Sequence, residues 1–120
     1  MAISKRNPAK EKLPSFAGDV AGRFPDIWEA YSALGDAAAA SGPLTVREQR
    51  LVKLALAIGA GSEGATHSHA RRGQKEGLDA HSMRQVALLG ITSLGWSQAM
   101  RGLAWIEDVT EKASKKPKRR

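Results

Sequence analysis

The sequence predicts an all-α protein, a compact bundle of about five short helices. The central part of the chain is rich in alanine and leucine and poor in β-branched and aromatic residues, a composition that favours helices. Its apolar residues recur every three or four positions, which is the spacing of one helix face. Glycines interrupt this pattern at intervals of about one helix length, and each interruption marks the end of a helix.

The first two predicted helices have clear boundaries. The first should follow Pro25, because proline is tolerated in the first turn of a helix, and Ser41-Gly42-Pro43 should end it. The second should begin at Thr45, which together with Glu48 has the spacing of a capping box. From Leu51 to Ile58 the second helix is apolar nearly all the way round. It must therefore be enclosed on several sides, by its own domain or by a partner subunit.

The remaining three helices are also separated by recognisable signals. The third is expected from Ser62 to about Glu76, and Gly77 should end it in a left-handed conformation. Asp79 can cap the fourth helix. This fourth helix should extend through Gly90 and Ile91 to Leu94, and Gly95 separates it from the last helix, which should run from Trp96 to about Lys112.

The net charge of +7 is confined to the two ends of the chain. Residues 1–18 carry net +3 and few apolar side chains, which predicts a flexible basic arm. Residues 111–120 carry net +5 and form a basic tail. Residues 19–110, with nine basic and ten acidic side chains, are expected to form one helical domain. Any binding of nucleic acid would thus be non-specific and limited to the tails.

The composition also excludes several classes of chemistry. The chain has no cysteine, which excludes disulfides, zinc-thiolate sites and thiol redox reactions. The polar, basic start has no apolar run typical of a secretory signal, and no stretch is long and apolar enough to span a membrane. We therefore expect a cytoplasmic protein that does not enter the membrane.

One local cluster, residues 62–69 at the start of the third helix, combines most of the candidate reactive groups. Ser62 and Glu63 could hold an anionic ligand at the helix start, where amides are unpaired. They could equally be an N-cap and a first-turn acid that compensates the helix dipole, without any ligand. His69 faces small residues and could transfer protons near neutral pH, or could be a packed residue whose nitrogens are satisfied.

His67 and His69 are not expected to form a metal site. Residues two apart on a helix point about 200° away from each other around the axis, so one ion cannot contact both side chains. No metal and no cofactor are predicted from this cluster.

The second and third helices together carry a longer pattern. It consists of Leu44-Thr45-x-Arg47-Glu48, the apolar run, Gly61-Ser62-Glu63-x-Ala65-x-x-x-His69, and Gly77-Leu78 before the next helix. This pattern resembles the carboxymuconolactone decarboxylase family, which includes the alkylhydroperoxidase D-like proteins. The resemblance covers about 85 residues and implies an oligomer, with a trimer or hexamer expected.

The redox branch of this family is similar only in part. Its pattern Gly-Cys-Glu-x-Cys-x-x-x-His places the first cysteine on Ser62 and the second on Ala65. The glutamate that assists its proton relay falls on Arg50, and only the final histidine, His69, matches. Disulfide exchange needs two sulfurs, so we expect no thiol peroxidase activity.

The decarboxylase branch lacks the cysteine pair and acts without a metal or organic cofactor. Resemblance to it implies a lyase that acts on a small carboxylate or lactone. His69 and Glu63 would be the catalytic residues, and Arg50, Ser62 and Arg72 would bind the substrate. Guanidinium groups suit this role because they pair well with carboxylates.

A second hypothesis from a different class remains open. The fold would serve as a non-catalytic oligomeric assembly or interaction module with basic tails, and the absent cysteines would mark lost chemistry. Ser62, Ala65 and Arg50, in place of the reactive set, favour this alternative.

Overall fold

The structure is a computed structural model that describes residues 15–114, and the predicted arm up to residue 14 and the tail from residue 115 lie outside this part. The described residues form helices joined by short turns and contain no strand, which confirms the all-α prediction. The helices are α1 (Ser15–Arg23), α2 (Pro25–Ala39), α3 (Val46–Gly59), α4 (Glu63–Lys75), α5 (Ala80–Leu89), α6 (Ile91–Leu94) and α7 (Trp96–Ser114). Within the described range, none of them is long and apolar enough to cross a membrane.

The chain divides into two units at Pro43. In the first unit α1 packs against α2, and Ala21 and Ser32 are its buried residues in the described range. Pro25 occupies the start of α2, as predicted. The second unit, from Leu44 onward, contains α3 to α7 and every residue discussed below as part of a site.

Local hydrogen bonds explain where the helices of the second unit begin and end. The amide of Glu48 donates to Oγ1 of Thr45 (3.1 Å), and the amide of Thr45 donates to Oε1 of Glu48 (2.9 Å), which confirms the capping box. The side chain of Asp79 caps α5 by accepting from the amide of Ser82 (2.9 Å). Gly77 has a φ of +94°, the left-handed conformation expected after α4.

Two short helices were not anticipated. Helix α1 begins inside the predicted arm, at residues 15–18, and gains an ion pair between Arg23 and Asp19 (3.0 Å) on successive turns. Helix α6 is separated from α5 because the chain turns at Gly90. A Cβ at that position would lie 3.0 Å from the carbonyl oxygen of Ala87, a tight contact that favours glycine at the turn.

The core of the second unit lies where α3, α4, α5 and α7 meet. Its buried side chains are Leu54, Ile58, Ala70, Leu78, Met83, Ala87 and Ile106. Helix α7 approaches α3 closely because Gly102 has no side chain, and a Cβ there would lie 2.6 Å from Cγ2 of Ile58. Helix α4 packs against both α3 and α7, so it presents different faces to these two neighbours.

Candidate active site

A cluster of three polar side chains forms where α4 packs against α3. The guanidinium of Arg50 donates to Nδ1 of His69 over 2.6 Å. The same group donates two hydrogen bonds to Glu76, from Nε to Oε1 (2.9 Å) and from Nη2 to Oε2 (2.8 Å). Arg50 thus contacts a histidine and a carboxylate at once, and its contact with the carboxylate of Glu76 is a bidentate ion pair.

The spacing on α4 explains why these groups meet. His69, Gly73 and Glu76 lie four and three residues apart, which places them along one face of the helix. Gly73 is buried, and a Cβ at this position would lie 3.5 Å from Cγ of Arg50. The stem of Arg50 thus passes Gly73 at an ordinary van der Waals distance, and the closer neighbours of this glycine are Leu78 (3.1 Å) and Met83 (3.2 Å).

The protonation state of His69 follows from its surroundings. The pKa of His69 is lowered from 6.5 to about 4, mainly by burial and further by the positive charges of Arg50, Arg72 and Lys53, while Glu76 opposes this shift. Arginine offers only donors, so Nδ1 must accept and the single proton of the neutral ring lies on Nε2. His69 is thereby neutral at physiological pH and offers an N–H donor at Nε2.

Glu76 is held as a carboxylate by the same arginine. The hydrogen bonds from Arg50 lower the pKa of Glu76, and partial burial of the carboxylate opposes this effect. The side chains of Arg50 and Glu76 are 15% and 29% exposed, so water reaches the ion pair only in part. The pair is therefore stronger than an ordinary surface ion pair.

The contact with Arg50 suits His69 to donate a hydrogen bond rather than to act as a base. Because Arg50 occupies Nδ1, His69 cannot use that nitrogen as a base without losing the arginine. A neutral imidazole with a proton at Nε2 can instead donate a hydrogen bond to an oxygen on which negative charge develops. The cluster is best suited to stabilising an enolate or another oxyanion.

A second polar cluster lies where α4 meets α7. Nε2 of His67 lies 2.9 Å from Oδ2 of Asp108, and Glu63 is one turn before His67 on α4. One donor atom of each of the three residues lies within 4.8 Å of the other two. The two histidines thus contact different helices, as their spacing predicts.

The structure separates the predicted site residues into groups. Arg50 and His69 are in contact, whereas Glu63 belongs to the cluster with His67. Arg72 is exposed on α4 and lies close enough to lower the pKa of His69. Oγ of Ser62 accepts from the amide of Ala65 (3.2 Å), which confirms the predicted N-cap.

Two residues of these clusters were missed by the sequence analysis, Glu76 and Asp108. Glu76 lies seven residues after His69, so its position on the same helix face could have been inferred. Asp108 is 41 residues from His67, and no local pattern connects them. Only the packing of α7 against α4 brings these two together.

A groove of about 480 Å³ lies between α3, α5 and α6. Leu51, Val52, Ala55, Val86 and Leu89 line its apolar part. Arg47 and Ser82, joined by a hydrogen bond of 3.2 Å, lie at its polar part. His69 and Glu76 do not line this groove, so it is separate from the histidine cluster.

The all-α fold agrees with a comparison to known families. The model of the carboxymuconolactone decarboxylase family matches residues 25–108, most of the chain. The chain therefore belongs to this family. Neither a curated protein nor a solved structure matches it significantly. Because the chain has no cysteine, it cannot itself exchange a dithiol for a disulfide.

Proposed function

We propose that the chain is a cofactor-independent lyase that acts on a small carboxylate or lactone. The observation that carries this proposal is the hydrogen bond between Arg50 and His69, the histidine at which the sequence resembles the family pattern. Loss of CO₂ from a carboxylate placed β to a carbonyl leaves an enolate, whose oxygen needs a hydrogen-bond donor. Nε2 of a neutral His69 supplies such a donor.

The charges around His69 support the choice of substrate class. Arg50, Arg72 and Lys53 all act on His69 electrostatically, and Glu76 acts in the opposite direction. An anionic substrate is attracted to this side of α4. Arg72, which is exposed on α4 and acts on His69 electrostatically, is the residue that we assign to the substrate carboxylate.

Turnover of carboxymuconolactone by the purified full chain tests this proposal. We expect His69→Gln to lower kcat/KM by about a hundredfold or more, the usual effect of removing one oxyanion donor. His81→Gln is the matched control, because His81 is an exposed histidine on another helix. The proposal fails if the wild-type chain does not turn over the lactone, or if His69→Gln retains full activity.

A second candidate function, an oligomeric assembly module, is favoured by a specific feature of α3. This helix buries Leu54, Ala57 and Ile58 on one face. The opposite face is apolar as well but exposed, with Val52 at 46% and Leu56 at 63%. Helices that are apolar on two opposite faces need cover on both, and proteins of this family associate. We assign this second face to a further copy of the chain.

The mass of the particle in solution tests this assignment. We expect light scattering after size exclusion to show an oligomer, and Leu56→Glu to shift it to smaller species. Arg71→Glu introduces the same residue at an exposed position of another helix, α4, and should leave the mass unchanged. A monomeric wild-type chain would contradict the assignment without affecting the catalytic proposal.

A further inference from the structure

We propose that Glu63, His67 and Asp108 form a binding site for a divalent transition-metal ion, with Zn²⁺ as the best fit. This site lies at the contact of α4 with α7. It does not depend on the function proposed for His69, which contacts α3 through Arg50.

The distances between the donor atoms are close to those of a ligated ion. Zn²⁺ binds imidazole nitrogen and carboxylate oxygen at about 2.0 to 2.2 Å, which places two ligand atoms about 3 to 3.5 Å apart. Nε2 of His67 and Oδ2 of Asp108 are already 2.9 Å apart, and all three donor atoms lie within 4.8 Å of one another. Small side-chain rotations are enough to bring them around one ion.

The backbone fixes two of the three ligands relative to each other. Glu63 and His67 are four residues apart on α4, so their side chains project from the same face of the helix. Asp108 comes from α7, which packs along α4. The site therefore rests on helices rather than on loops, which keeps its geometry defined.

The charges also favour a cation. Two carboxylates around one imidazole provide a charge of −2 when the imidazole is neutral, which balances a divalent ion. The positive end of the α4 dipole opposes a cation, but Glu63 in the first turn compensates it. Without a metal, Nε2 of His67 and Oδ2 of Asp108 lie at hydrogen-bond distance, and the carboxylate is 56% exposed.

The donor set selects the kind of ion. One nitrogen and two carboxylate oxygens suit Zn²⁺ and its first-row neighbours, whereas Mg²⁺ prefers oxygen ligands and retains its water. Three protein ligands leave at least one coordination position for water. The exposure of Asp108 gives the ion access from solvent.

Calorimetric titration of the full chain with Zn²⁺ tests the proposal. The background is low, because the sequence contains three histidines and no cysteine. We expect one ion per chain, a rise in Tm on addition of Zn²⁺, and no heat of binding with Mg²⁺. Binding should weaken as the pH falls, because protons compete for the ligands.

Matched variants locate the ion. Asp108→Asn and His67→Gln should each weaken Zn²⁺ binding by about tenfold or more. Loss of a residue that only hydrogen-bonds to a metal ligand already costs about 10- to 100-fold in affinity, so loss of a ligand should cost at least as much. Glu107→Gln and His81→Gln, which remove a neighbouring carboxylate and a distant histidine, should leave it unchanged. The far-UV spectra of all four variants show whether they are folded, and Asp108→Asn is at an exposed site.

Three results would overturn the proposal. The first is the absence of saturable Zn²⁺ binding to the wild-type chain. The second is unchanged affinity in Asp108→Asn and His67→Gln. The third is an equal loss in His81→Gln, which would indicate non-specific binding to histidine.

Discussion

Replacing Arg50 by glutamine should destabilise the protein and change how its stability depends on pH. The substitution removes two hydrogen bonds to Glu76 and one to His69. Hydrogen bonds that involve a charged group contribute about 1.5 to 3 kcal/mol each when buried, and exposed ion pairs contribute about 0 to 1 kcal/mol. With Arg50 15% and Glu76 29% exposed, we expect a net loss of about 2 kcal/mol at pH 7.

The pH dependence follows from the direction of the pKa shifts. Because Arg50 lowers the pKa of Glu76 below 4.5 in the folded state, the stability that it contributes is present above pH 4.5 and is lost as the pH falls further. The lowered pKa of His69 has the same effect on stability. Between pH 6.5 and about 4 the unfolded chain binds a proton at this histidine more readily than the folded chain, so stability is lost as the pH falls. Arg50→Gln weakens both effects. The difference in the free energy of unfolding between this variant and the wild type should therefore become smaller as the pH falls.

Urea denaturation at pH 7 and at pH 4 measures both effects at one protein concentration. Arg71→Gln is the control, because Arg71 is an exposed arginine on α4 and its loss should change the free energy of unfolding by less than about 0.5 kcal/mol. The stabilising role of Arg50 is refuted if Arg50→Gln is as stable as Arg71→Gln at pH 7. It is also refuted if the difference from wild type widens at pH 4.

Other substitutions test the packing and the helix ends, each by the free energy of unfolding. Gly102→Ala should cost about 1 to 3 kcal/mol, because the new Cβ would meet Ile58 at 2.6 Å. Gly64→Ala, with nothing within 4 Å of the new Cβ, should instead stabilise α4 by about 0.5 to 1 kcal/mol. Equal effects of the two would contradict the packing of α7. Thr45→Ala should cost about 1 kcal/mol through loss of the capping box, and an unchanged stability would show that the cap is not needed.

The sequence predicted those parts of the fold that depend on neighbouring residues. Thr45, Ser62 and Asp79 start helices as expected, because a cap needs only a side chain and an amide two or three residues later. Gly90 was assigned to a helix interior, since its turn depends on the close approach of Ala87 in the folded chain. Such a close backbone contact leaves no periodic pattern in the sequence from which it could be predicted.

The sequence predicted only part of the candidate active site. Arg50 and His69 were both named from the family pattern, and the structure places them in contact. The redox branch has a glutamate at the position of Arg50. In this chain the carboxylate comes instead from Glu76, at the end of α4.

The tautomer of His69 at neutral pH tests the central claim most directly. Long-range proton–nitrogen correlation spectra distinguish the two ring nitrogens, and the spectrum of His69→Gln identifies the signals. We predict a neutral ring with the proton on Nε2 and an unprotonated Nδ1 that accepts from Arg50. A proton on Nδ1, or a doubly protonated ring at pH 7, would contradict it.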